Sequence, residues 1–281
     1  MSKNDVSCQQ EAQLLSLGII GCGWLGTALA KAQLALGNEV FVTTATEQSL
    51  SVLTAQGIKG KNLLLPSNAA TLVKHPVFSM AQLVIAIPPK LKAGQTDYPE
   101  KIKQLIVAAE ENNIKRIVLL TSTAIYNGLS GDITEQSTLN YSAEKVAILA
   151  EAEQVVLAFS GQVTIVRLAG LVGPKRHPGR FFSGKSALTN PDAFVNLIHQ
   201  QDAVGILQAL LLPSAATGIF NAVSLTHPSR RDFYQAAALA LNVTAPSFAK
   251  QQDSQCKVIC AQKVVNQFNY RFVHDDLMAW L

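Results

Sequence analysis

A glycine loop near the start of the chain sets the architecture. Gly18-Ile19-Ile20-Gly21-Cys22-Gly23-Trp24-Leu25-Gly26 follows an apolar run at residues 15–20 and opens a helix-patterned stretch at 25–36. Gly21, Gly23 and Gly26 have the spacing G-x-G-x-x-G. Between a strand and a helix each of these glycines has its own task. The first permits a tight turn, the second lets backbone approach a pyrophosphate, and the third lets helix and strand pack closely. The helix N-terminus then faces the anion with unpaired N–H groups and a favourable dipole. The loop therefore predicts a dinucleotide held by Gly21, Cys22, Gly23, Trp24, Leu25 and Gly26.

The chain keeps that strand–helix rhythm as far as about residue 170. Apolar runs at 39–43, 60–65, 83–87, 116–121 and 163–168 read as further strands, with helices at 47–56, 99–112 and 141–159. Strands without polar alternation are buried on both faces, so the expected fold is α/β, a Rossmann-type doubly wound parallel sheet of six strands. Composition agrees. Of 281 residues 48% are apolar and 15% charged, which excludes a disordered chain. No apolar run approaches the ~20 residues of a membrane-spanning helix, so no membrane partner is expected. A net charge of +4 is too small to indicate nucleic acid.

Residues 1–14 read as a polar extension without the apolar core of a signal peptide. The four cysteines, Cys8, Cys22, Cys256 and Cys260, lack disulfide-framework or zinc-ligand spacing. Reduced thiols, no metal and a cytoplasmic location are expected. Pro174, Pro178, Gly179 and Gly184 then break the rhythm. The division expected is a dinucleotide-binding domain at 15–172 and a smaller C-terminal substrate-binding cap at 173–281. About 192–212 of the cap is expected to thread back onto the first domain.

About 20 residues after the glycine loop, an acidic side chain would grip the ribose hydroxyls of NAD. Here the chain reads Val42-Thr43-Thr44-Ala45-Thr46-Glu47, and no Asp or Glu closes the strand. Glu47 fits a helix capping box with Thr44. Thr43, Thr44 and Thr46 are the candidates at this end. With no carboxylate to repel a 2′-phosphate, the cofactor is NAD(P), leaning slightly to NADP.

Tyr141-Ser142-Ala143-Glu144-Lys145 carries the chemistry. Residues four apart on a helix share a face, so Tyr141 and Lys145 are expected to point into one site. An ordinary phenol, with a pKa of about 10, is a poor base near neutrality; an ammonium beside it stabilises the phenolate. The 116–121 strand runs on into Thr121-Ser122-Thr123-Ala124-Ile125-Tyr126, and its C-terminal end is where open α/β sheets place ligands. Ser122 or Thr123 there can hold a carbonyl or alcohol oxygen.

These three motifs resemble an extended short-chain dehydrogenase/reductase. The NAD(P)-dependent epimerase/dehydratase branch fits best, and within it the atypical YeeZ-type subgroup. Val166-Arg167-Leu168-Ala169-Gly170-Leu171-Val172-Gly173-Pro174 and Asn196-Leu197-Ile198-His199-Gln200-Gln201-Asp202 are similar too, so the resemblance spans about 15–240. It implies Ser122 as the catalytic hydroxyl, Tyr141 as acid/base, and Lys145 as the residue that tunes it and holds the nicotinamide ribose. It also implies a small-molecule substrate and leaves a homodimer open. Two departures stand out. Gly18, Cys22 and Gly26 do not complete the family's usual G-x-x-G-x-x-G, and Thr123-Ala124 replaces the Asp-Glu pair of sugar-nucleotide dehydratases.

Other residues have weaker claims. Pro88-Pro89 is expected to wall the cofactor, and Thr123, Tyr126 and Asn196 to line the substrate. Lys175, Arg176, His177, Arg180 and Lys185 form a loop without acids; it is either solvated or an anion clamp through Arg176 and Arg180. Arg167 is expected to be paired internally, His199 to be architectural, and Asp202 to be a helix N-cap. The reading is an NAD(P)-dependent oxidoreductase or epimerase acting on a carbonyl/alcohol centre of a small, anionic or nucleotide-sugar substrate. The alternative is a non-catalytic NAD(P)-binding redox sensor on the same fold.

Overall fold

The computed structural model describes residues 14–250 and 256–281; all but the last residue of the expected N-terminal extension, with Cys8, lies outside them. In chain order β1 (Ser16–Ile20), α1 (Trp24–Ala35), β2 (Glu39–Thr44), α2 (Glu47–Thr54) and β3 (Gly60–Asn62) form the first half. Then come α3 (Ala69–Val73), β4 (Gln82–Ile85), α4 (Tyr98–Glu111), β5 (Arg116–Ser122), β6 (Gly131–Ile133), α5 (Glu144–Leu157) and β7 (Gln162–Leu168). The remainder holds β8 (Gly170–Val172), β9 (Leu197–His199), α6 (Gln200–Leu211), β10 (Gly218–Ala222), α7 (Arg230–Ala240), β11 (Lys257–Ile259) and α8 (Gln262–Phe268).

Seven strands make one parallel sheet in the order β3-β2-β1-β4-β5-β7-β10. The order reverses between β1 and β4, so the crevice beyond their C-terminal ends is the expected ligand position. Leu17, Ile19, Ile20, Leu83, Val84, Ile85, Ile117, Val118 and Leu119 are fully buried, as strands covered on both faces require. Helices link the parallel strands, with α1 packed on α6 and α4 on α5.

The structure moves several expected boundaries for local reasons. The third strand ends at Asn62 rather than 65; Leu63 N still donates to Thr44 O, but Pro66 has no N–H to offer. The fourth ends at Ile85 rather than 87; Ala86 still donates to Ile20, but Pro88 and Pro89 have no N–H to offer. The helix expected from 141 begins at Glu144, because the Asn140 carboxamide accepts from Ser142 N and Oγ and holds the preceding residues in a turn. The sheet has seven strands, not six. The stretch expected to thread back supplies α6, and the seventh strand, β10, lies just beyond it.

Two small parallel pairs, β6 with β11 and β8 with β9, tie the C-terminal part to the sheet. That part has its own core of Val172, Val195, Leu197, Phe233, Tyr234 and Leu277. Among the described residues no helix is long and apolar enough to cross a membrane.

Candidate active site

Gly21 and Gly26 stand where the backbone leaves little room for a side chain. Gly21 has φ +92°, and a Cβ there would lie 2.9 Å from Ile87 N. Its N–H donates to Thr43 Oγ1, and Cys22 N donates to Thr43 O, locking the turn onto β2. A Cβ on Gly26 would sit 3.2 Å from Gly21 O, so helix and turn meet closely. Gly23 differs: a Cβ there meets nothing within 4 Å. It is the N-cap of α1 and offers no side-chain cap, nor is there an acid in the first turn. Open space over an uncapped helix N-terminus fits a pyrophosphate. Cys22 is buried, which pushes its thiol pKa up against the lowering effect of Thr27.

At the end of β2 the hydroxyls already have partners. Thr43 Oγ1 accepts from Gly21, and Thr44 Oγ1 donates to Thr46 O and Asn62 Oδ1. The capping box expected from Thr44 to Glu47 is not formed. Thr46 is the N-cap of α2 and accepts from Ser49 N.

Ser122 closes β5 and caps the single turn of 3-10 helix at Thr123–Tyr126. Its Oγ accepts from Ala124 N at 3.1 Å, so the hydroxyl hydrogen is left to donate elsewhere. Lys145, in the first turn of α5, is exposed, and α5 packs on the Thr123–Tyr126 turn. Tyr141 does not share a helix face with Lys145. It lies in the Asn140–Ser142 turn with its ring side 60% exposed. Thr123 is buried beside Ser122.

Two residues expected to line the substrate are committed to the fold. Tyr126 is fully buried; its hydroxyl donates to Asn221 Oδ1 and accepts from Arg167 Nη1, both at 2.8 Å. Burial raises its pKa, and the Arg167 charge only partly offsets that. Asn196 donates to Lys257 O and accepts from Ile259 N, so both ends of its amide hold β11. Arg167 is paired internally, making two bonds to Glu153 at 3.0 and 2.6 Å. Burial disfavours that guanidinium charge, but the bonds and charge of Glu153 outweigh it and raise the pKa above the ordinary arginine value.

The basic loop folds back to the glycine loop. Trp24 Nε1 donates to Pro174 O, and the Arg176 guanidinium lies over the Trp24 ring, 5.5 Å from its centroid. Arg176 thus sits beside the N-terminus of α1. Arg180 is exposed, and its charge adds to burial in lowering the His177 pKa. Pro88 is exposed just past β4, two residues after Ala86 bonds to β1.

His199, rather than Asp202, is the N-cap of α6. Asp202 is fully buried and accepts from Tyr270 Oη, Val273 N and His274 N, clamping the C-terminal segment.

The residue that sequence reasoning missed is Lys257. Its Nζ donates to Tyr126 O at 3.3 Å, bringing an ammonium from β11 to the turn that follows Ser122. A lone lysine between two cysteines gives no signal of that placement.

No family model matches the chain. It is 31% identical over 267 residues to protein YeeZ of Escherichia coli (strain K12), an alignment covering 92% of this chain and 96% of that protein. Its structure resembles the Bordetella bronchiseptica enzyme WbmG in complex with NAD and UDP, with TM-score 0.78, 18% identity, and 95% and 93% of the two chains covered. It also resembles UDP-glucuronic acid 4-epimerase from Bacillus cereus in complex with NAD, with TM-score 0.73, 13% identity, and 93% and 94% covered. At such identities the structural likeness is one of fold. With that identity over nearly the whole of both chains, the chain belongs to the YeeZ family, on the Rossmann fold of NAD-dependent epimerases/dehydratases.

Proposed function

We propose that the protein is an NAD(P)-dependent oxidoreductase or epimerase working on a carbonyl/alcohol centre of a small, anionic or nucleotide-sugar substrate. The observation that carries this reading is Ser122. Its hydroxyl is fixed by Ala124 N at the C-terminal end of β5, with Lys145 on the helix packed against the same turn. The cradle of Gly21, Gly23 and Gly26 supports a dinucleotide in the neighbouring crevice. A bound NAD(P) would supply the hydride exchange.

The protein's residues do the rest. Ser122 donates to the substrate oxygen and holds it as charge develops there. Tyr141 turns inward from its exposed position and moves the proton. Lys145 stabilises the phenolate as that proton leaves. At the adenosine end, residues 43–46 bring no carboxylate, which favours NADP slightly over NAD. Paired titrations test this: NADPH binds at least as tightly as NADH, and a clear preference for NADH contradicts it.

Tyr141→Phe tests the catalytic assignment. Turnover on a carbonyl panel is lost in the variant while NAD(P)H affinity is unchanged; full activity in the variant sinks it. The exposure of Tyr141 favours one other reading, a redox sensor that binds the dinucleotide without turnover. A Kd that differs between oxidised and reduced cofactor, with no turnover in wild type, would identify the sensor.

A further inference from the structure

Lys257 brings a positive charge to the turn that follows Ser122. Lys257 is half-buried on β11, and Tyr126 O accepts from its ammonium; among the described residues its two other N–H donors have no partner. Burial lowers its pKa, and the charge of Lys145 lowers it further, so two ammonium groups repel each other here. Among the described residues neither is in an ion pair. Among the described residues the small sheet carries one acid, Asp132, and the Glu135 carboxylate just beyond β6 accepts from Asn221 N. Asp132 pairs in register with Val258, not Lys257, so it lies on the other face, where its charge acts on His227.

The lysine is held in place from several sides. Asn196 bonds the backbone of β11 on either side of Val258, and Gly131 N donates to Cys256 O. The strand thus brings a second ammonium to the turn against which α5, with Lys145 in its first turn, is packed.

We propose that Lys257 is a substrate-binding residue, and that with Lys145 it forms a two-ammonium subsite for an oxyanion of the substrate, a carboxylate or a phosphate, beside the Ser122 hydroxyl. This rests on the catalytic reading above for what the site does, and it names the substrate's charge. An anion bridging the two ammonium groups removes their repulsion and takes up the unused donors, with charge-assisted bonds to each. The anion clamp is thereby assigned to β11 and α5, whereas Arg176 of the basic loop stacks on Trp24.

The test uses the full chain saturated with NADPH, titrated calorimetrically with malonate as the carboxylate probe and inorganic phosphate as the phosphate probe. Wild type binds at least one probe about tenfold more tightly than Lys257→Gln. Lys257→Arg retains most of that affinity, and NADPH binds all three proteins alike. The probe that responds identifies the oxyanion. Equal probe affinities in wild type and Lys257→Gln overturn the proposal, and so does a loss of NADPH binding in Lys257→Gln. If that variant does not fold, the NMR signal of isotopically methylated Lys257 in wild type replaces it: the signal shifts on addition of a probe, and a signal that stays put overturns the proposal. Turnover by Tyr141→Phe is read separately, so failure of the catalytic reading and failure of this subsite are told apart.

Discussion

Gly21 and Gly23 are two residues apart and require glycine for different reasons. Gly21 needs it for the fold, since its φ of +92° and the approach of Ile87 N leave no place for a side chain. Gly23 has a negative φ and open space around it, so its requirement comes from whatever occupies that space. Gly21→Ala therefore costs about 1–3 kcal/mol of stability, read by denaturant titration. Gly23→Ala leaves the thermal midpoint nearly unchanged and weakens NAD(P)H binding at least about tenfold, because a methyl group intrudes on the anion. A Gly23→Ala protein with wild-type cofactor affinity would remove the cradle from the account. Ser122 makes the same point in polar form: its oxygen accepts from Ala124 N, and its hydrogen is left to donate, in the proposed reaction to the substrate oxygen.

Among elements, α5 and β7 are joined by a buried ion pair. Glu153 on α5 and Arg167 on β7 form a two-bond pair with both side chains nearly inaccessible, and Arg167 passes the contact on to Tyr126 and Asn221. Removing one partner strands a buried charge, so Glu153→Gln costs about 3–5 kcal/mol, measured by denaturant unfolding. A change below 1 kcal/mol would mean that the pair is idle. Arg167 was legible in the sequence as an internally paired charge, but its partner, 14 positions away on another element, was not. The strands were legible because burial on both faces makes them continuous apolar runs. Tyr141 was misplaced because the spacing of Tyr141 and Lys145 suits a helix, while Asn140 spends its side chain on a competing turn. Asn196 and Lys257 were out of reach for a related reason. Their roles depend on β11 crossing to β6 near the end of the chain, and local pattern says nothing about such a pairing.

At the scale of the whole molecule, the C-terminal segment closes the structure. Asp202 accepts from its backbone, and His199 packs against His274 and Trp280 with ring centroids 3.8 and 4.9 Å away. Burial, and then the His274 charge, hold the His199 pKa down at about 4, with Asp202 opposing. The unfolded chain takes up that proton at a higher pH than the folded one. The contribution of His199 to stability is therefore complete above the ordinary histidine pKa of about 6.5 and is lost as pH falls towards 4. The thermal midpoint of wild type drops between pH 7 and pH 4.5 by more than that of His199→Asn, which keeps a cap on α6. Parallel pH profiles for the two proteins would contradict this. The α6–β10 stretch makes the same scale visible in the fold, since the chain leaves the sheet after β7 and returns for its seventh strand.

The central claim is that the glycine cradle and the Ser122, Tyr141 and Lys145 side chains serve one site. A crystal structure of the protein with NADPH tests it most directly. The expected result is the pyrophosphate over Gly23, the nicotinamide ring facing Ser122, and the Tyr141 hydroxyl turned in to hydrogen-bond distance, about 3 Å, of the nicotinamide ribose that Lys145 holds. A cofactor bound over Gly23 with Tyr141 still facing solvent, or one bound elsewhere, would contradict it.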